Sequence, residues 1–295
     1  TYERLSAINP RIIMVQMPTM GMGGPRDFYG GVSWGIQAMA GLNAISGYPD
    51  KPPVSPTPWS HPDTSCNPFH GMVAVLAALH SRNVTGKGQY IEISQYESTI
   101  NFMGPLILEY TANGRIAPRT GNRESGFAPQ GVYRCQGEDR WCAISVGSDE
   151  QWDRLCRLIG DVGLNEDARF NTFLARQQHA DELDEIISRW TENQTAESVM
   201  KQLLEQGIPA GKLNAAEDLL ENDPQLRARE HWIPLEHPEL GSVVTESWGY
   251  RLSNTSPRQR RHAPLLGEHN DYVYREILGM SEEQIDDYMV EGIIQ

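Results

Sequence analysis

Residues 60–95 read SHPDTSCNPFHGMVAVLAALHSRNVTGKGQYIEISQ, and this stretch decides the fold. A lone aspartate, Asp63, stands ahead of a run from Pro68 to Ser81 that is nearly free of helix breakers. Phe69, Met72, Val73, Leu76 and Leu79 recur there at helical spacing, which predicts a helix with those five on its core face. TGKGQ (Thr85–Gln89) then turns the chain into the alternating strand YIEISQ, and a second helix is predicted from Tyr96 to Ala112. Asp63 therefore lies just before, or in the first turn of, a buried helix.

Toward the N-terminus, NPRIIMVQMPTMGMGG (9–24) carries an apolar run, Ile12–Met17, into a glycine-rich loop. Such a run is the pattern of a parallel strand buried on both faces, so the chain is expected to open inside a sheet. GVSWGIQAMAGLNAISG (31–47) has small and apolar residues at helical spacing, and the proline-rich YPDKPPVSPTPWSHPD (48–63) cannot be helix. Strand, helix, strand, helix in this order is an α/β layer pattern.

Residues 113–126 read as a linker. Beyond it, GVYRCQGEDRWCAISVG (131–147) is a hairpin pattern around Gly137, Glu138 and Asp139. SDEQWDRLCRLIG (148–160) and TAESVMKQLLEQG (195–207) have the polar start and glycine stop of capped helices. From about Glu221 the pieces WIPLEHP and SVVTESWGYRLS are strand-like, and a final helix is predicted near 269–279. The expected organisation is a large domain over 1–112, the linker, a small α+β domain over 127–220, and a segment 221–295 that returns to the large domain.

Composition limits the function. The chain has 295 residues, enough for two ordinary domains, and a formal net charge of −14. That charge argues against nucleic acid or an anionic membrane surface as partner. It is uneven: residues 1–130 carry nine basic and eight acidic side chains, a net of +1, against −9 over 131–230 and −6 over the remainder. The first 130 residues are thus the less hostile place for an anionic ligand. Cys66, Cys135, Cys142 and Cys156 lack metal-type spacing and there is no signal-peptide pattern, so reduced thiols in a cytoplasm and no metal site are expected.

An aspartate at a helix start has an ordinary role, capping, and helix dipoles stabilise a carboxylate there by roughly 0.3–1 kcal/mol. It can also be a nucleophile that forms a covalent acyl intermediate. The local pattern leaves both roles open.

IQAMAGL (36–42), GYPDKPP (47–53), HPD ahead of VAVLAALHSR, TGKGQYIEISQ, GIPAG (207–211), DPQLRAR (223–229), HPELG and APLLGEH (263–269) occur in an order and spacing that resemble the family III CoA-transferases, the CaiB/BaiF family. The likeness runs from NPRII to the C-terminus. It implies a Rossmann-like large domain plus a smaller domain, in subunits interlocked like chain links, with CoA held mainly by the large domain as a substrate rather than a resident cofactor. It implies that Asp63 is the nucleophile, attacking an acyl-CoA thioester so that the acyl group or CoA passes to a small carboxylic acid. Family members also have about a hundred residues ahead of the NPRLI-like strand. A homodimer, or a heteromer with a chain that supplies that segment, is therefore expected, with no nucleic acid or membrane partner.

Candidate CoA contacts are Gly23, Gly24, Arg26, Gly31, Val32 and Lys87: glycines admit close backbone approach and the cations suit phosphates. Gly126, Phe127, Ala128 and Gln130 occupy the place of a polyglycine loop that closes over the intermediate in some members. The departure from polyglycine weighs against formyl-CoA:oxalate specificity. The family's racemase branch, which isomerises 2-methylacyl-CoA, needs paired acid and base and uses a histidine about thirty residues before the aspartate. The matching position falls near Val32, and Phe28–Trp34 contains no histidine. His61 and His70 are the nearby imidazoles and read as structural, as do Asp149 and Glu150 at a helix start and Glu268 and His269 before the last helix. A noncatalytic subunit or fragment that retains the fold is the alternative of a different class.

Overall fold

The computed structural model describes residues 1–56 and 61–294 of a mixed α/β protein. The chain divides into two compact units, Thr1–Lys212 and Leu213–Gln295. Of the proline-rich segment, residues 57–60 lie outside the described residues.

The first unit opens with α1 (Tyr2–Ile8), β1 (Met14–Gln16), the glycine-rich loop, α2 (Ser33–Met39) and α3 (Leu42–Ile45). A π-helical turn over Pro62–Cys66 runs without a break into α4 (Asn67–Thr85), which Gly86 ends in the left-handed region at φ 76°. β2 (Tyr90–Glu92) pairs in parallel with β1, Met14 opposite Tyr90 and Gln16 opposite Glu92. Parallel neighbours need a crossover, and the helices between β1 and β2 supply it. The TGKGQ turn needs a glycine at 88: a β-carbon there would overlap the Ile12 carbonyl, while the Gly88 amide donates to Pro10 O at 2.9 Å.

α5 (Gln95–Asn101) and α6 (Gly104–Asn113) replace the single helix expected over Tyr96–Ala112. The break falls at Phe102 and Met103, just ahead of Pro105, whose missing N–H is tolerated only in the first turn of α6.

The face that α4 buries is not the one its apolar periodicity predicts. Phe69, Met72, Val73 and Leu76 are 58–69% exposed, whereas Gly71 and Ala78 are buried. Small residues win because they let the helix approach the sheet closely: a β-carbon on Gly71 would lie 2.6 Å from the Met17 methyl. Of the five predicted core residues only Leu79 is half-buried, in a cleft with Ile12, Ile13, Val15 and Val75. β1 is likewise not buried on both faces, since Val15 and Met17 are partly exposed.

The rest of this unit contains β3 (Gln130–Arg134), β4 (Trp141–Ser145), α7 (Asp149–Ile159), α8 (Phe173–Gln178), α9 (Ala180–Thr191), α10 (Ala196–Glu205) and β5 (Ala210–Lys212). β4 is the centre of an antiparallel sheet, with Tyr133 opposite Cys142 and Ala143 opposite Gly211. Against it pack Trp152 and Leu155 of α7, Leu183 and Ile187 of α9, and Val199 and Leu203 of α10, with Phe170. Full burial of each such side chain contributes roughly 1.5–3 kcal/mol, so this is the main core of the unit. Ser148 and Thr195 cap α7 and α10 through the Gln151 and Ser198 amides, as their sequences predict.

In the second unit, Asp223 caps α11 (Pro224–Ala228) with two bonds of 2.8 Å, and β6 (Trp232–His237) forms a hairpin with β7 (Gly241–Glu246). The helix expected near 269–279 is a π-helical segment, Asp271–Ile277, and α12 (Glu282–Val290) follows it with a Ser281–Gln284 capping box. Glu268 caps no helix; its carboxylate accepts the Leu265 amide at 2.7 Å within a turn. Among the described residues no helix is long and apolar enough to cross a membrane.

Candidate active site

Pro62 starts the π-helical turn and places Asp63 in its first turn, with His61 rather than Asp63 at the cap position. The Asp63 carboxylate is exposed, and its Oδ2 accepts a hydrogen bond from the Ser33 hydroxyl. Ser33 is the first residue of α2, and the helix that presents it is pinned by fully buried Ile36 and Gln37. Gln37, one turn further along, donates from Nε2 to Ser55 Oγ at 3.4 Å, so α2 also holds the segment that leads toward Asp63.

A partly buried polar chain, buried at Asn67 and Ser98, fixes the turn. Asn67 donates to Gln95 Oε1 at 3.0 Å and accepts from the Ser98 hydroxyl; Gln95 Nε2 in turn reaches Met17 O at 2.8 Å. These bonds connect the end of β1, the start of α5 and the start of α4. Satisfied polar networks of this kind rigidify a site, because leaving any member unpaired in the interior is costly. His61 and His70 both lie against the Phe102 ring, at 6.0 and 6.2 Å between centroids, and His70 Nδ1 bonds Cys66 O at 2.9 Å. Burial pushes the neighbouring Cys66 thiol above its ordinary range.

The glycine loop comes off β1 and is tied to the end of β2. Gly21 has φ 86°, its side-chain position crowded by Ser94, and the Met22 amide donates to Glu92 Oε1 at 2.6 Å. Gly23, also left-handed, and Gly24 have open space around them; Gly31 abuts the Thr19 methyl. Arg26 and Val32 are exposed on the same loop. Lys87 is exposed beyond the far end of α4, which at 1.5 Å per residue is roughly 28 Å long, so Lys87 and Asp63 occupy opposite ends of that helix.

The segment Gly126–Gln130 is anchored on the β3–β4 sheet. Ala128 is buried, its amide bonds Val146 O at 2.9 Å and its carbonyl accepts Arg176 Nε at 3.0 Å. The Gln130 side chain accepts the Glu124 amide at 2.6 Å, and Phe127 packs over Gly147. Residues 123–125 and 127–130, with Thr120, Gln177 and Ala180, line a cavity of about 280 Å³; Gly126 is not part of its lining. Asp149 engages Arg176, and Glu150 is held below the ordinary carboxylate range chiefly by the Ser148 hydroxyl.

A family model described as CoA-transferase family III matches residues 1–270. The chain belongs to CoA-transferase family III. It is 36% identical to the succinyl-CoA–D-citramalate CoA-transferase of Chloroflexus aurantiacus, over 96% of this chain and 70% of that one. It is 30% identical to the succinyl-CoA–L-malate CoA-transferase beta subunit of the same organism, over 99% of this chain and 72% of that one. The structure matches that of a CaiB/BaiF family protein from Brucella suis with a TM-score of 0.85 and 28% identity, covering 94% of this chain and 71% of that chain.

Within this family III chain, Ser33, Gln37, Asn67, Gln95 and Ser98 are the residues of the candidate site, around Asp63 and its turn, that the sequence did not single out. Ser33 and Gln37 are one helical turn apart in IQAMAGL and its approach, a spacing that could have marked them; nothing in the sequence pairs Asn67 with Ser98.

Proposed function

We propose that this chain moves CoA between an acyl-CoA thioester and a carboxylic acid through covalent intermediates on Asp63. The observation that carries the reading is the exposed Asp63 carboxylate at the head of α4, whose Oδ2 accepts a hydrogen bond from the Ser33 hydroxyl. Asp63 attacks the thioester carbonyl; a carbon–oxygen bond forms, the carbon–sulfur bond breaks, and its electron pair leaves on the CoA thiolate. The thiolate then attacks Cγ of the resulting mixed anhydride and releases the donor acid, leaving an aspartyl-CoA thioester. The acceptor carboxylate reverses these two steps and departs as its own CoA thioester, regenerating Asp63.

The names of the two Chloroflexus relatives support succinyl-CoA as donor and a hydroxy-dicarboxylic acid as acceptor. The beta-subunit name of one relative supports a heteromer with a second chain, and a homodimer is the other proposed assembly. Gly23, Gly24, Arg26, Gly31, Val32 and Lys87 remain the proposed CoA contacts, and Gly126–Gln130 the proposed substrate loop. Ser33 stands thirty residues ahead of Asp63, where the racemase branch is expected to carry its histidine. A serine hydroxyl is too weak a base to take an α-proton, which supports transfer over racemisation.

The test is steady-state transfer from succinyl-CoA to L-malate and D-citramalate, with Asp63→Ala as control and deuterium wash-in to a 2-methylacyl-CoA measured alongside. Transfer that the Asp63→Ala variant loses supports the proposal; wash-in without transfer contradicts it.

A further inference from the structure

We infer that Ser33 is a second catalytic residue, the hydrogen-bond donor that stabilises negative charge on Asp63 Oδ2 each time Cγ is attacked. The inference rests on the reading of Asp63 as the covalent nucleophile. Its basis is geometric: the Ser33 hydroxyl donates to Oδ2 of the very carboxylate that would react.

In the covalent sequence one aspartate oxygen becomes the bridge of the anhydride and the other becomes the Cγ carbonyl. With Oδ1 bridging, Oδ2 is the carbonyl oxygen. When the CoA thiolate adds to Cγ, the carbonyl electron pair moves onto Oδ2, and the tetrahedral species collapses by expelling the donor carboxylate together with Oδ1. When the acceptor carboxylate adds to the aspartyl-CoA thioester, the pair moves onto Oδ2 again and collapse expels the thiolate. Ser33 keeps its proton throughout and supplies a hydrogen bond that strengthens as charge develops. One donor thus serves both halves of the reaction.

Stabilisation of this kind requires a donor fixed in advance of the charge. Ser33 meets that requirement because α2 is anchored one turn after it. Ile36 and Gln37 are buried, and Gln37 donates to Ser55 Oγ at 3.4 Å. The donor and the carboxylate therefore belong to one packed unit, α2 against the π-helical turn, whose far side the Asn67–Gln95–Ser98 chain locks. Ser33 is the first residue of α2, directly after the Val32 cap, and its hydroxyl proton goes to Asp63 Oδ2.

The experiment compares wild type, Ser33→Ala, Ser33→Thr and Asp63→Ala in the purified protein. It measures kcat and KM for succinyl-CoA with L-malate, the melting temperature, and the rate at which hydroxylamine traps a hydroxamate on the peptide that holds Asp63. Loss of one such donor lowers kcat about 10²–10³-fold. Ser33→Ala is expected to fall by that factor with KM within about threefold and melting temperature unchanged, and Ser33→Thr, which retains a hydroxyl, to recover most of kcat. Hydroxamate should still form on Asp63 in Ser33→Ala, with aspartyl-CoA formation slowed. Full activity in Ser33→Ala overturns the inference, and so does equal loss in Ser33→Ala and Ser33→Thr, because the hydroxyl is then not the operative group. Wild type that never labels at Asp63 overturns the covalent reading itself, an outcome distinct from wild type and Ser33→Ala turning over alike.

Discussion

Arg176 and Asp149 form an ion pair, 2.6 Å from Nη2 to Oδ1, in which the arginine side chain is fully buried and the aspartate side chain is 71% exposed. The same guanidinium donates to Ala128 O at 3.0 Å and to Phe170 O at 3.1 Å, and lies over the Trp152 ring. One charge therefore joins the start of α7, the approach to α8 and the segment proposed as the substrate loop.

Removing the two partners should have unequal effects. Arg176→Met strands two buried carbonyls and is expected to destabilise by about 3 kcal/mol or more. Asp149→Asn leaves the arginine its carbonyl bonds and should cost only about 1–2 kcal/mol. Urea denaturation of both variants checks the order; equal effects would show that the carbonyl bonds add little.

The exposed face of α4 separates two accounts of that helix. If Leu76 were a core residue, as its spacing predicts, Leu76→Ala would cost about 2–5 kcal/mol. At 59% exposure the expected change in the isolated chain is within about 0.5 kcal/mol, and Val73→Glu should be similarly mild. An apolar stripe this wide should bind a hydrophobic dye, and Val73→Glu should reduce the signal.

Thiol chemistry should be silent in the native state. Burial pushes Cys142 and Cys156 up to about 12 and also raises Cys66 and Cys135. The thiolate is the reactive form, and a thiol at about 12 is ionised to roughly one part in ten thousand at pH 8. A chromogenic disulfide reagent should react with all four cysteines in denaturant and with none rapidly in native protein; one fast native thiol would contradict the burial.

Acid stability should depend on Asp167. Its carboxyl is lowered to about 2 because the Arg169 guanidinium, at 2.7 Å, and then the Arg169 amide, at 2.9 Å, donate to it. A carboxyl depressed on folding adds stability that is present above the ordinary range near 4 and is lost as pH falls through the folded value. The stability gap between wild type and Asp167→Asn should hold at pH 6 and close between about pH 4 and 2. A gap independent of pH would contradict this.

The elements that sequence made legible are those whose signals are local. The hairpin around Gly137, the caps at Ser148 and Thr195, and the turn at Gly86 each depend on residues within a few positions, and each is present. The buried face of α4 was misread because apolar periodicity records hydrophobicity, whereas close helix–sheet approach selects Gly71 and Ala78. α12 was missed although the Ser281–Gln284 box marks its start. At the candidate site, the motifs around Asp63 singled it out as the proposed nucleophile. Ser33 was not singled out, since its partner lies thirty residues away and a serine at a helix start ordinarily signals a cap.

The central claim is that Asp63 becomes covalently acylated, and peptide mass mapping after incubation with an acyl-CoA panel and hydroxylamine tests it most directly. The expected result is a hydroxamate on the peptide that contains Asp63, formed with succinyl-CoA and absent from Asp63→Ala. An unmodified Asp63 peptide in protein that is measurably transferring CoA would contradict the account.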